Sequence, residues 1–163
     1  MERGVDFETL LTELARAEVE FIVIGGVCAA LHGSPMMTND LDIVHSRGTE
    51  NRRRLARVLR SVEACYRDSL PERFVPTEND LASPLHTKFG KLDLLGSAHG
   101  GLDYEDLLWR TVFVDLESGV KVRILDLRGL IEMKEAANRD KDRVHLLHLR
   151  HVLEERRKRD EKA

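Results

Sequence analysis

The stretch from Phe21 to His45, FIVIGGVCAALHGSPMMTNDLDIVH, constrains the fold more than any other part of the chain. Phe21-Ile22-Val23-Ile24 is short, apolar and β-branched, and it stops at Gly25-Gly26, as a buried strand ending in a tight turn does. The two glycines let the backbone turn sharply and approach a ligand closely. Val27 to Leu31 reads as a short helix whose first turn offers N–H groups and a positive dipole end to an anion. Gly33-Ser34-Pro35 breaks that helix and begins a loop that leads to Thr38. Asp40-Leu41-Asp42-Ile43-Val44 then reads as a second strand. Alternation places Asp40 and Asp42 on one face and Leu41 and Ile43 on the other. Like charges on one strand face repel unless a cation or basic group lies between them. The carboxylate pair beside a phosphate-sized turn is therefore a divalent-metal site in outline. Taken singly, the Gly-Gly pair also fits a plain turn, and the Asp-x-Asp a solvated strand edge.

The rest of the chain supplies the frame. At 163 residues, 42% hydrophobic and 34% charged, it is long enough to bury one ordinary globular core. A formal net charge of -3 is not that of a general nucleic-acid binder, although a local patch can still steer a polyanion. Cys28 and Cys65 have no metal-like spacing and follow no signal sequence, so reduced thiols in a cytoplasmic protein are expected. Cys28 sits in apolar surroundings and reads as core. No apolar run approaches the length that crosses a bilayer, and no membrane partner is expected.

Asp6 is placed to cap a helix from Phe7 to about Val19, with Phe7, Leu10, Leu11 and Leu14 on one stripe. Thr49 is placed to cap a second helix, which carries Arg52, Arg53, Arg54, Arg57 and Arg60 opposite its apolar face. Those arginines fit either a solvated face or a cationic stripe along an RNA backbone. Tyr66 to Pro84 is polar, holds three of the four prolines and reads as a long loop bordering a cleft. Leu85 to Phe89 and Lys91 to Leu95 flank Gly90 as a bent pair of strands. Leu92 and Leu94 share a face there, which leaves Asp93 on the other, facing solvent or a charge. Asp103 caps a short helix ending near Trp109, a core or interface residue. Val112 to Leu116 and Val120 to Leu125 form a hairpin about Glu117-Ser118-Gly119. Asp126 caps a helix through Leu127, Leu130, Ile131 and Met133 that carries Lys134. Residues 1–125 thus form a core, and 126–163 a helical segment of the same domain with a charged tail expected to fray. His145, His148 and His151 turn by about 300° per step, so they do not stack as zinc ligands.

Gly25-Gly26 followed by Thr38-Asn39-Asp40-Leu41-Asp42 resembles the signature of the nucleotidyltransferase superfamily related to DNA polymerase β. In its Thr-x-Asp-x-Asp form it is similar to the AbiEii-type branch, which includes toxins of toxin–antitoxin systems. Gly90-Lys91-Leu92-Asp93-Leu94-Leu95 resembles the strand that brings that family's third carboxylate. Leu130 to Lys134 and Asn138 to Asp142 resemble its C-terminal Leu-Ile-x-x-Lys and Arg-x-Lys-Asp segments. The resemblance implies an α/β fold of the α+β kind, a small mixed sheet with flanking helices and a helical C-terminal segment. It implies that Asp40, Asp42 and Asp93 are catalytic and hold two Mg²⁺ ions, or Mn²⁺. Gly25, Gly26, Thr38 and Lys134 would bind the nucleotide, with Ser34 a weaker match to the pattern. The implied reaction moves a nucleoside monophosphate from an NTP to an acceptor hydroxyl on RNA, tRNA included, or on a protein, with a cognate antitoxin or toxin as partner. A non-catalytic nucleotide- or RNA-binding module that keeps the fold is the alternative.

Overall fold

The computed structural model describes residues 4–81 and 84–163. Its centre is the predicted strand, turn and strand. β1 (Phe21–Ile24) is buried along its whole length, as expected of a central strand whose two faces are both covered. β2 (Asp40–His45) runs antiparallel beside it with Ile24 opposite Asp42. Between them lies α2 (Gly25–Leu31), which starts at the first glycine, two residues earlier than the sequence suggests. Gly25 has φ +67°, a left-handed conformation that glycine adopts without strain, so the chain turns from strand into helix within one residue.

Two further strand pairs extend the sheet on either side. β4 (Pro84–Thr87) and β5 (Gly90–Leu95) form the bent hairpin expected about Gly90, and β5 lies parallel to β2. β3 (Cys65–Tyr66) closes that edge. On the other side β7 (Lys121–Leu125) runs parallel to β1, and β6 (Thr111–Asp115) pairs with it across the predicted turn. The order is β3-β4-β5-β2-β1-β7-β6, seven strands of mixed direction.

Helices cover the sheet. α1 (Phe7–Arg16) is capped by Asp6, which accepts from Thr9 N at 3.0 Å; α3 (Thr49–Ser61) buries Leu55, Val58 and Leu59. Its N-cap is Gly48 rather than Thr49, whose backbone is already helical. α4 (Tyr104–Leu107) begins with a capping box between Asp103 and Asp106, two reciprocal bonds that satisfy N–H groups left open at a helix start. Trp109, which follows it, is 74% exposed and stacks against Arg110 instead of entering the core.

α5 (Leu127–Ala137) is capped by Asp126, whose Oδ1 accepts from Gly129 N at 2.6 Å. It ends at Asn138, which takes a left-handed conformation, a common way to stop a helix. α6 (Asp140–Lys162) continues to the last residues, so the tail expected to fray is helical. Arg157 pairs with Glu154 and Glu161 along it, and Lys158 with Glu155, the spacing at which opposite charges meet on a helix surface. Leu41, Ile43, Leu92 and Leu94 sit together in the core at 1% exposure or less. Burial of side chains this size contributes about 1.5–3 kcal/mol each. The alternate positions of the same two strands are thereby fixed toward the opposite face. No helix among the described residues is long and apolar enough to cross a membrane.

Candidate active site

β2 and β5 are in register so that Asp42 lies directly opposite Asp93, and Asp40 opposite Lys91. Side chains two residues apart share a face, so Asp40, Asp42 and Asp93 all lie on the face opposite the leucine layer. Directly opposed like charges destabilise a sheet. Their electrostatics show that cost at Asp42. Burial, then a hydrogen bond shared with Asp93, then the charges of Asp93 and Asp40, push the Asp42 carboxyl up to about 7, with Arg67 opposing them.

Arg67 is the residue that sequence reasoning missed. It begins a three-residue 3-10 turn after β3, in the long polar loop. Its Nη2 lies 2.8 Å from Asp93 Oδ1 and 3.7 Å from Asp40 Oδ1, and its Nε donates to Leu85 O at 3.1 Å. The loop therefore does border the carboxylates, through a basic side chain that no local pattern singles out. Among the described residues no three His, Cys, Asp or Glu side chains converge as ligands of one ion would. The guanidinium lies between Asp40 and Asp93 instead.

The donor chemistry nevertheless fits a hard divalent cation. Mg²⁺ and Mn²⁺ favour carboxylate oxygens. Asp40 Oδ1 and Asp93 Oδ1 are buried, and neither accepts a directional hydrogen bond.

The glycine turn is built against this cluster. A Cβ on Gly25 would collide with Asp42 Oδ2, and a Cβ on Gly26 would lie 2.6 Å from Thr38 Oγ1. Thr38 itself is a local brace: its hydroxyl donates to Asp40 O at 3.1 Å and accepts from Asp40 N at 3.4 Å. It holds the start of β2 beside the turn. Ser34 is buried, and its hydroxyl accepts from Met36 N, inside the loop.

Lys134 reaches the same region from α5. A cleft of about 580 Å³ is lined by Gly25, Asp42, His99, Met133, Lys134 and Arg139, among others. Lys134 is 7% exposed, and its Nζ lies 3.3 Å from Asp142 Oδ1. Asp142, at the start of α6, is also bound by Arg139 Nε at 2.7 Å. Burial alone would raise its carboxyl, but the Arg139 hydrogen bond and the Lys134 charge hold it below the usual range. Lys134 is thus both a wall of the cleft and the pin between α5 and α6. The arginines of α3 lie elsewhere: Arg53, Arg57 and Arg60 line a separate groove with Val75, Pro76 and Thr77.

Solved structures similar to the chain over most of its length include the following three. The protein TM1012 from Thermotoga maritima, assigned as a nucleotidyltransferase, superposes with a TM-score of 0.56 at 20% identity, covering 91% of each chain. ANT(2")-Ia in complex with adenylyl-2"-tobramycin gives 0.57 at 12% identity, over 88% of this chain and 86% of that one. The solution structure of the antibiotic-resistance factor ANT(2")-Ia gives 0.54 at 14% identity, over 90% and 82%. The fold is that of the nucleotidyltransferases. No protein-family model matches the chain, and no curated protein does. Within the nucleotidyltransferase fold, the resemblance to the AbiEii-type branch rests on the sequence motifs alone.

Proposed function

We propose that this protein is a divalent-metal-dependent nucleotidyltransferase that moves a nucleoside monophosphate from an NTP to an acceptor hydroxyl. The observation that carries the reading is the pairing of Asp42 with Asp93 across β2 and β5, directly over a glycine turn that admits no side chain. Asp40, Asp42 and Asp93 would hold Mg²⁺ or Mn²⁺. Such ions neutralise a triphosphate and lower the pKa of an attacking hydroxyl.

The remaining work belongs to this chain's own groups. The Gly25-Gly26 turn gives phosphate oxygens close access to backbone N–H groups, which a side chain at either position would obstruct. Thr38 keeps the start of β2 fixed against that turn. Lys134 adds a buried positive charge to the cleft wall. Asp93, on the strand paired with that of Asp42, would accept from the acceptor hydroxyl and orient it. Position and charge account for the catalysis, and no covalent enzyme intermediate is required.

The AbiEii-type motifs favour an acceptor on RNA, a tRNA 3′ end included, or on a partner protein in a toxin–antitoxin pair. The neighbour bound to adenylyl-2"-tobramycin adds a small polyhydroxylated amine to the acceptors worth testing. The purified protein is incubated with Mg²⁺ and each α-labelled NTP in turn, with total tRNA, a cell lysate or an aminoglycoside, beside Asp42→Asn and Asp93→Asn. Label reaching one acceptor with the wild type and falling by roughly a thousandfold or more in both variants is the expected result. No transfer to any acceptor, with NTP binding unchanged in both variants, would leave a binding module and sink the enzyme reading.

A further inference from the structure

We infer that Arg67 is the resident counter-ion of the carboxylate cluster, and that its guanidinium and a divalent cation compete for the same oxygens. The inference rests on the metal reading above and adds a residue to it. Arg67 Nη2, Asp40 Oδ1 and Asp93 Oδ1 are all buried, and none of the three makes a well-directed hydrogen bond, although Nη2 and Asp93 Oδ1 are only 2.8 Å apart. Charge brings these atoms together while their directional capacity stays unused. Arginine binds carboxylates best when its planar fork meets both oxygens. A compact cation asks only for oxygens at the right distance. The pair is therefore a serviceable arrangement for balancing charge and a poor one for satisfying hydrogen bonds.

A guanidinium keeps its proton at any ordinary pH. A cation reaching Asp40 and Asp93 must therefore move Arg67 aside or bear its repulsion at close range. Arg67 starts a short turn in an irregular loop, and among the described residues its hydrogen bond outside the cluster is that of Nε to Leu85 O, so the guanidinium can swing without unpairing a strand. A guanidinium displaced from Asp93 stays beside the cleft, where the polyanionic tail of a nucleotide can take over its charge. Arg67 thus sets metal affinity low in the absence of nucleotide and relieves the opposed carboxylates meanwhile.

The test is Mn²⁺ binding to nucleotide-free protein, followed by electron paramagnetic resonance, for the wild type, Arg67→Gln and Arg67→Lys. Removal of the charge in Arg67→Gln should tighten Mn²⁺ by roughly tenfold, the scale of one partly screened charge repulsion. Arg67→Lys, which keeps the charge, should stay nearer the wild type. Without metal, Arg67→Gln should melt below the wild type, and saturating Mg²⁺ should close the gap. Equal or weaker Mn²⁺ binding in Arg67→Gln overturns the inference while leaving the metal reading intact. Absence of Mn²⁺ binding in every protein overturns both. Should Arg67→Gln fail to fold, the Arg67 Nε–H resonance of the wild type decides: it should shift on adding Mg²⁺ alone, and a resonance that does not respond counts against competition.

Discussion

Gly25 carries two demands at one residue. Its φ of +67° lies in the left-handed region, and the position a Cβ would take is filled by the Asp42 carboxylate. For a residue with a Cβ, that conformation costs roughly 1–2 kcal/mol. The collision then falls on Asp42, a carboxylate of the proposed metal site. Gly25→Ala should fold with a stability loss of about 1–3 kcal/mol, read from urea denaturation. Its transfer rate should fall by roughly a hundredfold or more, because a displacement on the order of an ångström at a reacting centre has that effect. A variant as destabilised as this but equally active would show that Asp42 needs no exact seat. The comparison with a destabilised variant outside the site, such as Val58→Ala in α3, separates the two effects.

At the scale of elements, much was readable because strands carry a period of two. Leu41 and Ile43 inside place Asp40 and Asp42 together on the other face, and Leu92 and Leu94 do the same for Asp93. The hairpin about Gly90 and the caps at Asp6, Asp103 and Asp126 follow from local chemistry and stand where the sequence puts them. Arg67 was not readable, because its role comes from sheet order. β4 lies between β3 and β5, which carries the turn after β3 back across to Asp93, a closeness that no spacing records. The α5–α6 junction was half readable: the Lys134 and Asp142 segments stood out, but not that their buried pair joins the helices. Breaking such a pair leaves a charge buried without compensation. Asp142→Ala should cost about 3–5 kcal/mol, whereas the double replacement Lys134→Met/Asp142→Leu should cost less than half as much. Chemical denaturation of both variants checks this. Equal losses would mean that the junction is held by packing alone.

Across the whole molecule, opposite titrations meet in one pH window. His32 donates to Leu125 O at 2.8 Å, and its own carbonyl accepts from Arg156, so it joins α2, β7 and α6. Burial lowers its pKa first of all; the bond to Leu125 and Asp126 oppose this, and Arg156 adds to it. Burial likewise lowers His45, with Arg47 and Arg52 adding to it and the Ser46 carbonyl opposing. Below the unfolded histidine value of about 6.5 the unfolded chain takes up protons that these two rings resist, so they remove stability as pH falls. Asp42 acts in the other direction. Its folded value of about 7 lies above the unfolded carboxylate value of about 3.9, so it removes stability as pH rises between the two. Among the described residues, Asp93, Asp40 and Arg67 act on it directly, and Lys134 and Arg139 line the same cleft. In metal-free protein the two trends offset each other between about pH 5 and 6.5. Asp42→Asn removes one of them, so its unfolding free energy should climb with pH more steeply than the wild type's in that interval. The difference should approach one proton, about 1.4 kcal/mol per pH unit. Groups that titrate alike in both proteins cancel in this comparison. Parallel slopes in the presence of a chelator would mean that Asp42 is already ionised in the folded protein. Arg67 would then balance the cluster fully on its own.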